Sequence, residues 1–485
     1  MQKQGVCGIL MLNIYWEITM KKHFSVAMAA LLLLTLPLAS CGGGKSEPID
    51  TEEPVTIPAI TIPTEPDERA YTDLTPYAEQ ISLLFSTTPV ASATDFTYEI
   101  GEAGVTLTGY TGSEVAVVIP DTVEDRPVVA IAAKAFAGQA NLRAISVPDT
   151  VVSIGFGAFE GCKGLTSLRT PVYTCEDSPY FGALFGAKSH DAQGSAVPTG
   201  LSTLVLTRVE TIPDYAFYAC YGLTALSLPE TVQEIGGFAF YGCSGLAYIP
   251  LGDTALETVG EHAFAGCAKL LSLDLPHTVE HLGLGMLEGC GALESLTLPF
   301  VGGERGGETA YLGYLFGAAD YTFTEGYLPG ALISVELLPG CGDIPPNAFF
   351  GCGVLREVVI PDGVVSIGRR AFYGCEGLAE VILPDSVTTV GDDAYHGCLR
   401  LTSFTGGESL SHLGVQVFMD CVSLSTVTLP GTVTHLPNSC FAGCVSLASL
   451  TAEGVVTQGH QVFRNCEKLW GTEWRPYEAV PTETD

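Results

Sequence analysis

One period governs this chain. The stretch SIGRRAFYGCEGLAEVILPDSV, Ser366 to Val387, comes back at a spacing of 23 residues as TTVGDDAYHGCLRLTSFTGGESL, and again as SHLGVQVFMDCVSLSTVTLPGTV. With the aromatic residue of the Ala-Phe pair taken as position zero, cysteine falls at +3 (Cys375, Cys398, Cys421, Cys444). Leucine falls at +6 (Leu378, Leu401, Leu424, Leu447) and an apolar residue at +9 (Val381, Phe404, Val427, Leu450). A unit this short cannot bury its own apolar face, so a fixed period of this length marks a supersecondary unit stacked on copies of itself.

Each position has a physical reading. Apolar residues at +9 and +11 with polar residues between them predict a short strand with one buried face. Proline at +12 (Pro229, Pro276, Pro361, Pro384, Pro430) has no N–H to donate and ends that strand. A second apolar pair follows near +15 and +18, as in Val364 with Ile367 and Val387 with Val390, and a glycine beside it is expected to turn the chain. The Ala-Phe piece has room for about one helical turn. The residue before the cysteine is almost always glycine, as in Gly242, Gly266, Gly351 and Gly374, or else Asp420 or Asn465. These types tolerate a left-handed, helix-ending conformation.

Position zero recurs at Phe136, Phe159, Phe217, Phe240, Phe264, Leu287, Phe349, Phe372, Tyr395, Phe418, Phe441 and Phe463. Two gaps are long, 159 to 217 and 287 to 349, and each holds a degenerate copy, YFGALFGA around Phe185 and YLGYLFGA around Phe316. Counting both gives about 14 coils, an array on the order of 65 Å long at roughly 4.8 Å per layer. Such a stack accommodates 485 residues at 47% hydrophobic composition without one oversized core. From Phe96, the run TYEIGEAGVTLTGYTGSEVAVVIPDTV alternates like strands between Gly-rich turns and reads as a cap on the first coil.

The long apolar run is Val26–Leu38, VAMAALLLLTLPL, preceded by Lys21 and Lys22. A basic start, a short apolar core and small residues after it are the parts of a secretory signal. It ends Leu38-Ala39-Ser40-Cys41, which resembles the lipobox of bacterial lipoproteins. That resemblance implies a lipid on Cys41 at the mature N-terminus; ordinary signal cleavage beside a passive cysteine is the alternative. Met20 reads as the natural start, with residues 1–19 an upstream extension. The whole chain carries a formal charge of −33, and removing residues 1–40 takes away Lys3, Lys21, Lys22 and Glu17 to leave −35. Nucleic acid and anionic membrane surfaces are poor partners for such a field, so membrane contact is expected only through the lipid.

The expected organisation is 1–40 extension and signal, 41–70 Pro/Thr/Glu-rich tether, 71–95 linker with a short helix over Tyr71–Phe85, 96–470 repeats with their cap, and 471–485 polar tail. The repeat pattern AFxGCxxLxxLxLPxxVxxIG resembles the BspA-like leucine-rich repeats of bacterial and protist surface proteins, over about 340 to 370 residues. The resemblance implies an α/β leucine-rich-repeat solenoid with a parallel β-sheet along one face. It also implies a role in surface attachment, to host matrix proteins or to other cells, through a protein or glycan it does not identify. No family binding motif maps onto individual residues here.

Sixteen cysteines in an exported chain suggest disulfides. Eleven of them share one repeat position, however: Cys162, Cys220, Cys243, Cys267, Cys290, Cys352, Cys375, Cys398, Cys421, Cys444 and Cys466. A column with layers about 5 Å apart offers no unique pairing. Buried, reduced thiols are therefore expected, with disulfides as the alternative and metal disfavoured by the lack of any CxxC pair. His281, His412 and His435 share position +17, and two imidazoles on consecutive coils make a weak metal site. No HExxH, GxSxG, P-loop or calcium-loop pattern occurs, and GGERGG at Gly302–Gly307 lacks the strand-to-helix context of a phosphate cradle. No catalytic residue, metal or cofactor is expected.

The function expected is binding, in adhesion or protein–protein contact at the cell surface. An envelope spacer without a ligand, or a polysaccharide-capture protein, is the alternative. Outward strand positions +8 and +10 are mostly small, as in Ser272, Ser295, Thr297, Ser403, Thr405, Thr426 and Thr428. Binding hot spots favour Tyr, Trp and Arg, which points to the two irregular segments. The candidate ligand contacts are Tyr173, Tyr180, Arg305, Tyr311, Tyr321 and Tyr327, with Phe181, Tyr314 and Phe323 beside them. The alternative is that these rings only pack the longer coils, as Phe185 and Phe316 are expected to do.

Overall fold

The structure, a computed structural model, describes residues 85, 86, 88–175 and 178–469. The signal segment, Cys41, the 41–70 tether and the 471–485 tail lie outside these residues. Of the helix expected over Tyr71–Phe85, only Phe85 lies inside, and it is helical.

The coil from Phe372 to Tyr395 shows how the repeat folds. Its inward residues, Phe372, Cys375, Leu378, Val381, Leu383, Val387 and Val390, are all buried. Burying a side chain of this size contributes about 1.5–3 kcal/mol, and Phe372 stacks on its counterpart in the next coil, Tyr395, at 5.0 Å. A strand at +8 to +10, Glu380–Ile382, pairs in parallel with Ser403–Thr405, which pairs with Thr426–Thr428, which pairs with Ser449–Thr451. Pro384 follows at +12, where the chain turns.

The expected single sheet is joined by a second parallel ladder. Residues +17 and +18 form two-residue strands, such as Ser366–Ile367 with Thr389–Val390 and then His412–Leu413. The +18 side chain is buried, so the sequence showed it as apolar, paired with +15, but did not show +17 and +18 as a strand. The first ladder runs in three pieces. One break falls after the bridge from Ala225 to Tyr248, where Pro250 at +10 has no N–H to donate.

The third side of each coil is where helix was expected. In the regular coils it is a run of turns; helix is confined, besides Phe85–Ser86, to short 3-10 pieces and the four-residue α-helix Gln193–Ala196 among the described residues. The backbone here bonds between coils. The N–H groups of Arg370, Phe372 and Gly374 donate to the carbonyls of Asp392, Ala394 and His396 at 2.9, 2.8 and 2.9 Å. Left-handed φ two places either side of the ring turns these alternate N–H groups toward the neighbour. Position +2 is left-handed as its Gly, Asp and Asn content predicted, for example Gly374 at 70° and Asp420 at 58°. Position −2 is left-handed too, yet holds Tyr215, Phe238, Arg370, Asp393 and Gln416, at 55–60°. A non-glycine residue there costs roughly 1–2 kcal/mol, offset by an inter-coil hydrogen bond at each coil.

The glycine near +19 has a different role from the turn expected of it. Gly391 is not in the left-handed region, and a Cβ added to it would sit 2.7 Å from the backbone nitrogen of Arg369 on the coil before. It is needed for close approach.

The cap forms as expected. Phe96–Ile100 and Val105–Tyr110 make an antiparallel hairpin, and Val105–Tyr110 runs parallel to Arg126–Ile131, extending the second ladder. Ala116–Val118 starts the first ladder against Ala144–Ser146. Tyr110 stacks on Phe136 at 5.4 Å and so continues the ring column into the cap.

A candidate binding surface

The two irregular segments share one construction. Phe181–Phe185 and Leu312–Phe316 are 3-10 helices, each ended by a left-handed glycine, Gly186 and Gly317. Each helix gives its two neighbours different residues. The N–H of Phe159 donates to Leu184, just before Phe185, whereas the N–H of Phe181 donates to Ala216, just before Phe217. In the second segment Leu287 donates to Leu315, and Leu312 donates to Ala348. Phe185 and Phe316 are core residues, as expected.

Five residues after Phe185 stands His190, and five after Phe316 stands Tyr321. Each ring starts a surface ladder on the following coils at position +1. His190 meets Tyr218 at 5.4 Å, and Tyr218 stacks on Tyr241 at 5.1 Å with planes 6° apart. Tyr321 meets Phe350 at 5.2 Å, Phe350 stacks on Tyr373 at 5.0 Å, and Tyr373 meets His396 at 4.7 Å. At −2, Tyr215 stacks on Phe238, and His190 lies 4.5 Å from Tyr215. The sequence carries this signal in the runs AFYAC, AFYGC, AFFGC, AFYGC and AYHGC, which the reading by irregular segments passed over. The ladders end at Ala265 and Met419, the +1 residues of the next coils.

At the end of the second ladder sits a charged group. Asp393, nearly buried, takes Arg370 Nε at 3.4 Å and His396 Nδ1 at 3.3 Å, and His396 Nε2 lies 3.7 Å from Asp420.

The sequence-predicted contacts divide by burial. Tyr173 is buried, stacks on Phe217 at 5.3 Å, and donates its hydroxyl to the Thr211 carbonyl at 2.8 Å. Tyr311 is buried and donates to the Ala318 carbonyl at 2.9 Å. Both fill the longer coils, and so does Phe181. Arg305 is exposed but committed: its guanidinium bonds the carbonyls of Pro299 and Gly340 and covers the Phe300 ring at 5.0 Å. Tyr180, Tyr314 and Tyr321 are half-buried, Tyr180 lying edge-on to His190. Phe323 and Tyr327 are the open rings, at 60% and 46% exposure. On the strand face the small outward residues give way locally to Glu357, Val359, Glu380 and Ile382.

The cysteine column lies inside. All 14 cysteines among the described residues are buried free thiols. At +3 the thiol donates to the carbonyl of the position-zero residue one coil back, as in Cys375 to Phe349 at 3.1 Å and Cys421 to Tyr395 at 3.0 Å. Burial pushes the thiols of Cys162 up to about 11 and of Cys243 and Cys290 up to about 12. Thiols held protonated in this way are poor nucleophiles and poor metal ligands. His281, His412 and His435 sit exposed on the second ladder, and His435 contacts Thr457 Oγ1 at 2.8 Å. Among the described residues, no three His, Cys, Asp or Glu side chains gather as a metal site.

A family model described as the BspA type leucine rich repeat region matches in six copies, over residues 129–178, 200–302 and 342–470, more than half of the chain. No curated protein matches. Solved structures similar to the chain include a leucine-rich repeat protein from Bacteroides ovatus, 25% identical, covering 79% of this chain and 93% of that one at a TM-score of 0.36. A leucine rich cell surface protein from Faecalibacterium prausnitzii is 22% identical, covering 76% of this chain and 96% of that one at a TM-score of 0.27.

Proposed function

The chain belongs to the BspA-type leucine-rich repeat family, and from that premise we propose that it is a lipid-anchored, extracytoplasmic binding protein acting in adhesion or protein–protein contact, and not an enzyme. The observation that carries the reading is the contrast between two kinds of surface. Regular strands present mostly Ser and Thr, whereas the second irregular segment presents Phe323 and Tyr327 beside the ladder that Tyr321 begins. Exposed aromatic residues on a rigid scaffold are the usual anchors of an interface. Export and anchoring rest on the apolar run Val26–Leu38 and the Leu-Ala-Ser-Cys sequence ending at Cys41.

The test is a screen of the purified chain against matrix proteins and whole cells, repeated with Tyr321, Phe323 and Tyr327 all changed to Ala. Lost binding at an unchanged melting temperature supports the reading. A wild-type chain that binds nothing above background makes it a spacer. For the anchor, Cys41→Ala is expected to move the protein from the membrane fraction to the soluble one. An unmodified Cys41 in mass spectra of the native protein refutes the lipid.

A further inference from the structure

Behind the second irregular segment lies an open groove of ≈ 230 Å³, whose walls include Ile333, Val354, Arg356, Glu376 and Arg400. Ten arginines fall among the described residues. Six are tied down: Arg126, Arg143, Arg169, Arg208 and Arg305 bond backbone carbonyls, and Arg370 pairs with Asp393. The other four, Arg356, Arg369, Arg400 and Arg464, have no side-chain hydrogen bond or ion pair among those residues, and Glu376 forms none with Arg356 or Arg400. In a chain of net charge −33, two uncommitted guanidinium groups facing one groove form a local exception.

The three charged residues come from successive coils, at +7, +4 and +5, so the groove presents cation, anion, cation along the solenoid axis. The two arginines are two coils apart, about 10 Å along the axis. A guanidinium is a fixed fork of donors matched to a carboxylate. An ionised Glu376 accepts only, and calls for a hydroxyl or N–H donor between the two carboxylates. Ile333 and Val354 add an apolar wall. An extended chain of sugar acids supplies all of these: carboxylates repeated along its length, hydroxyl donors between them, and C–H faces. An acidic peptide segment also brings carboxylates, and backbone N–H groups that can donate to Glu376, but it offers no sugar-ring C–H face to Ile333 and Val354.

We propose that this groove binds an acidic polysaccharide through its carboxylates, with Arg356 and Arg400 as the two anchoring forks and Glu376 accepting from a sugar hydroxyl between them. The site is separate from the aromatic surface of the protein-binding reading and stands or falls without it.

The probe is fluorescently labelled hexagalacturonate, titrated into the full chain near 0.15 M salt, where a Debye length of about 8 Å screens the distant acidic surface but not groove contacts. Carboxyl-reduced hexasaccharide and hexaglutamate are titrated alongside. Expected are binding of hexagalacturonate, loss of binding on carboxyl reduction, and weakening of at least ~tenfold in Arg356→Gln and in Arg400→Gln. Arg400→Lys is expected to fall between, because it keeps the charge and loses the fork. Both arginines are without partners, so melting temperatures should not move, and a fold defect is thereby distinguished from a lost contact. Hexaglutamate binding as tightly as hexagalacturonate, variants binding like wild type, or no hexagalacturonate binding at millimolar concentration each overturns the proposal.

Discussion

Tyr395 breaks the pattern of its column. The other position-zero residues of the regular coils are Phe, apart from Leu287, and Tyr395 puts a hydroxyl where they put a ring hydrogen. It is fully buried, between Phe372 at 5.0 Å and Phe418 at 5.8 Å with nearly parallel planes, and Phe404 meets its edge. Among the described residues, its hydroxyl and that of Tyr110 are the buried side-chain polar groups without a hydrogen-bond partner. Leaving such a group unsatisfied costs about 1–3 kcal/mol. Tyr395→Phe removes the group and keeps every ring contact, and the space vacated by one oxygen costs only roughly a few tenths of a kcal/mol. The substitution is therefore expected to stabilise by about 1–2 kcal/mol. A stack of coils need not unfold as one unit, so amide exchange is the assay of choice, read at the coils on either side, together with urea denaturation. The Tyr395 N–H, bonded to the Val417 carbonyl at 2.9 Å, is a suitable reporter. The gain should also widen with pH. Burial holds the Tyr395 phenol well above its usual value of 10.0. The unfolded chain gives up that proton first, so the wild type alone loses stability from this group as pH rises past about 10. A Phe variant less stable than wild type would refute the reasoning, because it would mean that the hydroxyl is bonded.

Four further perturbations test other parts of the fold. Cys375→Ser is expected to destabilise by about 1–3 kcal/mol, since a hydroxyl replaces a packed thiol, and thiol labelling of the unfolded, never-reduced protein should find the column free; few labelled thiols would show it cross-linked. The buried thiols have folded values raised above 9.0, so the stability they carry is present below about pH 9 and lost as pH rises through the folded values; a melting temperature that stays flat from pH 7 to 11 would contradict their burial. Gly391→Ala should cost about 1–3 kcal/mol by forcing adjacent coils apart, measured by urea denaturation, whereas Gly431→Ala, where an added Cβ meets nothing within 4 Å, should be close to neutral. Tyr311→Ala should lower stability by about 3–5 kcal/mol while Tyr327→Ala leaves the melting temperature unchanged, a contrast that checks which of the two is core.

The repeat was legible because its determinants are local and recur. Every Leu at +6 and apolar residue at +9 votes for the same inward face, and Pro384 and its counterparts stop most strands at the same place, with Gly407 and Glu453 there on two coils. A left-handed +2 followed from residue type alone, since glycine, asparagine and aspartate dominate there. Position −2 gave no such sign: Tyr215, Phe238 and Arg370 adopt a conformation their own preferences oppose, because the inter-coil hydrogen bond that compensates exists only after the coils stack. The glycine at Gly391 was visible as a glycine, but its reason lies in a backbone on another coil. Candidate contacts suffered most. Tyr173, Tyr311 and Tyr327 are alike in sequence, yet the first two find a core and a carbonyl partner while the third is left in solvent.

By itself the sequence determined the period, the inward face, the number of coils and the places where the array is interrupted, all properties of residues within one unit. The tertiary structure decided which ladder each backbone group joins, which rings meet across coils, and which arginines remain without a partner. Those depend on translating one coil onto the next by about 5 Å, a spacing that brings residues 22 to 24 apart into contact and that no single unit contains.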